Sequence, residues 1–243
     1  MLRATGPLIF CYPPYPSVLT AALPTTYLSS MSLLPPKLPT FVPDDRYTLA
    51  QWQAIEETTG KRYEFHDGVL ISVEAMAGGS FQHSVIGGNL IREAGNAIIA
   101  EANAGDRLTA CNTLTSDLRI AVDGGKRYLY ADATIVCGEP VFDEDIPSAI
   151  TTPTTVFEVV SPSSEGYDRG RKFEFYGALD ALREYVIVEQ DRRRIEVRHR
   201  VDASAPWKYT VLSDGDDTLA LPSLGIALPL SGIYRNWKAP KLS

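Results

Sequence analysis

The chain has 243 residues, 44% hydrophobic and 22% charged, enough for one sizeable core and inconsistent with a fibrous or wholly disordered protein. With 30 acidic against 23 basic residues the net charge is −7, which excludes a surface coated in positive potential but leaves room for a local basic groove. No run approaches the roughly 18–20 uninterrupted apolar residues of a membrane span. Cys11, Cys111 and Cys137 lie far apart without a CxxC pair, so neither a disulfide framework nor a thiolate zinc site is expected, and a cytoplasmic location fits best.

Residues 1–43 hold nine of the 17 prolines and two charged groups, Arg3 and Lys37, without helical or strand periodicity. They read as a disordered or mis-assigned extension, with Met31 as an alternative start. Pro7, Pro13, Pro14 and Pro16 break the apolar patch after Arg3 and disfavour a secretory signal. The folded domain should occupy residues 44–238, with a tail at 239–243.

Thr48 and Gln51 have the spacing of a capping box, Leu49, Trp52 and Ile55 mark one face, and Gly60 is a stop signal, so a short helix is expected there. Residues 61–74 alternate loosely around His66-Asp67-Gly68, a hairpin signal. Ile86, Leu90, Ala94 and Ile98 recur every four residues and predict a helix over 82–103, ended by Gly105. Three β-branched and aromatic segments, 117–122, 128–137 and 155–160, read as strands of one sheet. Asp168 is expected to cap a helix running to Leu179, followed by strands at 185–190, 195–201 and 207–212. This order predicts an α/β protein, a mixed sheet flanked by helices.

Glu158 is the sharpest anomaly, a carboxylate inside Thr155-Val156-Phe157-Glu158-Val159-Val160, a run suited to burial on both faces. Ionised there it needs a cation, hydrogen-bond donors or a proton; an edge position or an arginine partner would satisfy it equally. Asp132, within residues 128–136, repeats the anomaly on a neighbouring apolar segment. Two carboxylates brought together repel, and a hard divalent cation such as Mg²⁺ relieves the repulsion. Lys172 follows on the next helix, either as an amine that assists a nucleophilic water or a phosphoryl oxygen, or as a solvated helix lysine.

Tyr63-Glu64-Phe65-His66-Asp67-Gly68, His83 with Asn89-Leu90, Ser116-Asp117-Leu118-Arg119-Ile120, Tyr130-Ala131-Asp132, Glu158-Val159-Val160-Ser161-Pro162-Ser163 with Asp168, Lys172 and Tyr176, and Leu221-Pro222-Ser223-Leu224-Gly225 occur in this order. Together, over residues 46–237, they resemble the Uma family of restriction-endonuclease-like proteins. The resemblance implies a PD-(D/E)XK nuclease core, here with an added N-terminal hairpin and C-terminal strands, and Mg²⁺- or Mn²⁺-dependent endonucleolytic cleavage of phosphodiesters, in DNA first. Asp132 and Glu158 would be its metal-binding acids and Lys172 its displaced lysine. Ala131 stands where the family usually has proline, and Val160 where the wider superfamily places lysine.

Glu64 and His83 match family positions and are candidates to complete the site. Glu64 could equally pair with Lys61 or Arg62, and His83, three after Ser80, could simply lie in a helix cap. Asp117 is expected to face the site or anchor Arg119. Arg169 and Arg171 are candidate phosphate contacts, whereas Arg192, Arg193 and Arg194 read as an exposed turn. The expected partner is nucleic acid, with a homodimer as one assembly state and no membrane. The rival reading is a nuclease-fold module that acts in DNA or protein interaction without turnover. A serine hydrolase built on Ser161 or Ser163 lacks GxSxG, and no phosphate-binding loop is present.

Overall fold

The structure, a computed structural model, describes residues 45–73, 80–105, 108–161, 164–214, 216 and 218–239. The extension expected over 1–43, Ser163 and most of the tail lie outside them. Helix α1 (Leu49–Thr59) starts on the expected capping box: Gln51 N donates to Thr48 Oγ1 at 3.3 Å and Thr48 N to Gln51 Oε1 at 2.9 Å. Gly60, with φ at 65°, ends it. Strands β1 (Tyr63–His66) and β2 (Val69–Ser72) form the hairpin, and Asp67 and Gly68 both adopt positive φ in its turn, as a tight hairpin demands. Helix α2 (Phe81–Ala104) covers the predicted segment and ends at Gly105.

The strands form two packed sheets rather than the single sheet expected. The first has the order β2-β1-β5-β4-β7, with β4 at Arg119–Val122, β5 at Arg127–Tyr130 and β7 at Ala149–Ile150. The second has the order β11-β10-β9-β8-β6-β3. Its strands are β3 (Cys111–Thr115), β6 (Ala133–Cys137), β8 (Thr155–Val160), β9 (Glu184–Glu189), β10 (Ile195–His199) and β11 (Lys208–Leu212). The segment read as one strand over 128–137 therefore breaks at Ala131 and Asp132, where the chain passes from the first sheet to the second. A hairpin of β12 (Thr218–Leu221) and β13 (Ile226–Pro229) and a last helix, α5 (Leu230–Ile233), follow.

Residue parity along each strand sets the layers. Phe157 and Val159 of β8 pack with Ile86, Leu90, Ala94 and Ile98 of α2. Val156 and Val160, on the other face, pack with Ile120 and Leu129 of the first sheet. On β1, Tyr63 and Phe65 turn outward to Trp52 and Ile55 of α1. The even-numbered Glu64 and Glu158 consequently share the interface between the sheets, where 0% and 3% of their surfaces are exposed.

The helical segment after β8 begins before the expected cap at Asp168. It comprises α3 (Glu165–Tyr167), a π-helical turn (Asp168–Lys172) and α4 (Phe173–Gly177). Asp168 lies inside the segment as a buried residue rather than at its N-terminal cap.

One further expectation is corrected. Cys111 and Cys137 form a disulfide with a Cα–Cα distance of 4.0 Å, because the antiparallel register of β3 and β6 sets them directly opposite. Their separation of 26 residues conceals this, since pairing depends on strand register rather than on Cys spacing.

Candidate functional site

Lys172 reaches from the π-helical turn into the layer between the sheets and is 5% exposed, far from a solvated helix lysine. Its Nζ donates to Tyr130 O and Glu158 Oε2, each at 2.9 Å, and lies 3.3 Å from Glu64 Oε1 and 3.7 Å from Asp168 Oδ1. Glu158 Oε1 is also 2.9 Å from Nζ but off the hydrogen-bond direction, so no donor is aligned to it. Tyr167 Oη donates to Glu64 Oε2 at 2.7 Å, and His66 Nε2 is 3.1 Å from the same oxygen.

One ammonium thus faces three buried carboxylates, and the surroundings of the two closest, Glu158 and Glu64, separate them. Burial, with Asp168 and Asp132 nearby, pushes Glu158 well above the usual carboxylate range despite Lys172. Burial also works against ionised Glu64, but Lys172, His66 and Tyr167 outweigh it and hold that carboxyl below its ordinary value. Lys172 stays charged, because Glu158 and Glu64 overcome the cost of burying its ammonium.

The π-helical turn explains how two side chains of one helix reach Glu64. Tyr167 and Lys172 are five residues apart, about 140° apart around an ideal α-helix. One extra residue in the turn brings them to the same side.

Asp132 sits at the passage between the sheets. Its backbone N donates to Phe157 O at 3.1 Å, and its Oδ2 accepts from Val159 N at 2.7 Å, so the carboxylate stands in for a missing ladder partner at the end of β6. Its Oδ1 lies 3.2 Å from Nε2 of His83. The helix-cap position and a ring turned to the cavity coexist at His83: its backbone N donates to the Ser80 cap at 3.0 Å, while its ring faces Asp132. Burial disfavours the imidazolium, but Asp132 more than offsets this and raises its pKa.

These groups line a cavity of about 360 Å³ whose walls include Arg62, His83, Asp132, Glu158, Asp168 and Lys172. Glu64 stands behind Lys172. Among the described residues, no group of three or more His, Cys, Asp or Glu is drawn together tightly enough to form a ready metal centre. The carboxylates of Asp132 and Glu158 are nevertheless hard oxygen donors, which suit Mg²⁺ or Mn²⁺ in kind. A pair of them leaves the remaining positions to water and substrate, the usual arrangement for Mg²⁺.

The structure brings together Asp132, Glu158, Lys172, Glu64 and His83. It does not bring Arg169 and Arg171 to them. Arg169 is committed to three carboxylates, Glu165, Glu189 at 2.5 Å and Glu196 at 3.0 Å, which leaves it cross-linking protein side chains rather than facing the cavity. Arg171 is exposed. Arg194 binds both Glu189 and Glu196, and Arg192 binds Glu189. Asp117 is 85% exposed and pairs with Arg62 at 3.3 Å; Arg119 binds Glu56 at 2.6 Å instead.

A family model described as "Putative restriction endonuclease", Uma2, matches residues 47–231. The chain belongs to the Uma2 family. Its mixed α/β architecture is that of a restriction-endonuclease-like fold. The uncharacterized protein slr1290 of Synechocystis sp. is 33% identical over 185 residues, 76% of this chain and 88% of that protein. The uncharacterized protein sll1609 of the same organism is 30% identical over 165 residues, 68% of this chain and 86% of that protein. Within the Uma2 domain, sequence reasoning missed Asp168 and Arg62 as cavity residues. Asp168 carried a signal, standing four residues before Lys172 on a helix, the spacing of a same-face pair. Arg62 carried none, because only the hairpin's docking brings it to the cavity mouth.

Proposed function

We propose that this Uma2 protein is a divalent-metal-dependent endonuclease that hydrolyses phosphodiester bonds in nucleic acid, DNA first. The observation that carries this reading is the convergence of Asp132 and Glu158, from neighbouring strands, on one cavity beside the buried ammonium of Lys172. Asp132 and Glu158 would hold Mg²⁺ or Mn²⁺, which when bound acidifies a water and offsets charge on the scissile phosphate. Lys172 supplies a fixed positive charge beside the reacting phosphate, the kind of preorganised donor that stabilises developing negative charge. Glu64 orients that ammonium from behind. His83 can accept or return a proton at Nε2, the atom it turns toward Asp132.

The test pairs calorimetric titration with Mg²⁺ and Mn²⁺ with cleavage assays on single- and double-stranded DNA and RNA, for wild type, Asp132→Asn and Glu158→Gln. Metal binding and cleavage by wild type alone would support the enzyme. A second reading draws on the complete engagement of Lys172, whose Nζ faces Tyr130 O, Glu158 and Glu64 at once. Such a closed site suits a module that binds nucleic acid without turnover, and nucleic-acid binding without cleavage would favour it.

A further inference from the structure

Helix α2 carries two adjacent glycines, Gly87 and Gly88, well inside its 24 residues. Glycine is the poorest helix former after proline, and a packing reason for it is usually close approach by another part of the protein. Neither residue has one: a Cβ built at either position meets nothing within 4 Å. The open space is the cavity itself, which both glycines line between Ser84 and Ile91. On another wall Glu158, 3% exposed, presents an Oε1 to which no hydrogen-bond donor is aligned.

We propose that Gly87 and Gly88 form the wall along which one strand of nucleic acid docks, and that their missing side chains let its sugar-phosphate backbone lie against α2 within reach of Asp132 and Glu158. The proposal rests on the nucleic-acid reading above and assigns its substrate contact to a helix face rather than to Arg169 or Arg171. One feature favours an anionic backbone here. Arg62, which lines the same cavity and pairs at its rim with the exposed Asp117 at 3.3 Å, supplies a guanidinium suited to phosphate oxygens. The volume of about 360 Å³ is that of a small-ligand site, which suits a single strand better than an intact duplex.

An uncommon combination follows: filling the wall should strengthen the fold and weaken binding. Gly87→Leu and Gly88→Leu each place an isobutyl group in open space and improve helix propensity, so thermal stability should hold or rise by about 2–4 °C. Gly95→Ala is the control. It lies on the same helix, its added Cβ would meet only Thr113 Oγ1 at 4.0 Å, and it does not line the cavity.

Binding is read by fluorescence anisotropy of a labelled single-stranded DNA 12-mer and its duplex, without divalent metal so that nothing is cut. Roughly tenfold weaker single-strand binding by both leucine variants, with unchanged binding by Gly95→Ala, is the expected result. Unchanged binding by both leucine variants overturns the docking wall while leaving nucleic-acid binding intact. A fall in melting temperature for both overturns the premise that the wall is free of packing demands. Duplex binding tighter than single-strand binding overturns the assignment of substrate form. If wild type binds neither DNA, the proposal falls together with the nucleic-acid reading.

Discussion

Lys172 and Glu64 meet across the two sheets: Nζ lies 3.3 Å from Oε1, so the amine that answers Glu158 on the second sheet is held from behind by a carboxylate of the first. Neither sheet alone builds the site.

Removing that amine strands buried negative charge. Lys172→Met should cost about 3–5 kcal/mol of stability, the usual penalty for breaking a buried ion pair from one side, measured by urea denaturation. Adding Glu64→Gln should recover part of the loss, because the two changes act on one contact. Equal stability of wild type and Lys172→Met would show that the ammonium is not answering buried carboxylates.

Asp132 has a structural duty separate from any metal. Asp132→Ala removes the acceptor of Val159 N, held at 2.7 Å, and should cost about 1–3 kcal/mol in metal-free buffer. Mg²⁺ should raise the melting temperature of wild type and not of the variant, since a ligand bound only by the native state stabilises it by mass action. An equal Mg²⁺-dependent rise in both would remove Asp132 from the metal site.

The disulfide makes a count. The chain has three cysteines, so alkylation of unreduced, denatured protein followed by mass spectrometry should modify one, and three after reduction. Reduction should lower stability by about 3–4 kcal/mol for a loop of 26 residues in the chain-entropy picture. Three modified cysteines without reductant would show that Cys111 and Cys137 face each other as thiols.

The arginine cluster predicts acid sensitivity. Burial would raise the carboxyls of Glu189 and Glu196, but Arg192 and Arg194 at Glu189, and Arg194 and Arg169 at Glu196, hold both below the ordinary 4.5. The folded-state values are depressed, so the contribution is complete above pH 4.5 and declines as pH falls through the lowered values. Arg194→Met should therefore be less stable than wild type at neutral pH, with the difference closing as the pH falls below 4.5 through the lowered values. A gap that persists unchanged into acid would mean the arginine acts through packing.

The legible parts of this molecule were those whose causes are local. Thr48 with Gln51, and the four-residue recurrence from Ile86 to Ile98, located two helices because capping and amphipathic periodicity act within a few residues. Glu158 stood out because a carboxylate in a β-branched run is expensive wherever that run folds. The break at Ala131 and Asp132 was invisible, since no glycine or proline marks it and β-propensity is equally high on both sides. It arises from the docking of two sheets, as does the position of Arg62, while the pairing of Cys111 with Cys137 depends on the register of β3 against β6. Arg169 misled for a related reason: a sequence shows a charge but not the three acids that fold around it.

The π-helical turn at Asp168–Lys172 makes the helical phase of this segment a fixed quantity. Tightening these residues into ordinary α-helix without loss of any would set Tyr167 and Lys172 about 140° apart, whereas deleting one of them, Gly170 for example, would leave the pair four residues apart, about 40° around the helix and still on one side. In the first case Lys172 would swing off the side it shares with Tyr167 and the buried ring of Tyr176 would leave its place in the core; in the second both would keep their phase. The turn and its extra residue compensate each other, so here the number of residues carries as much information as their identity.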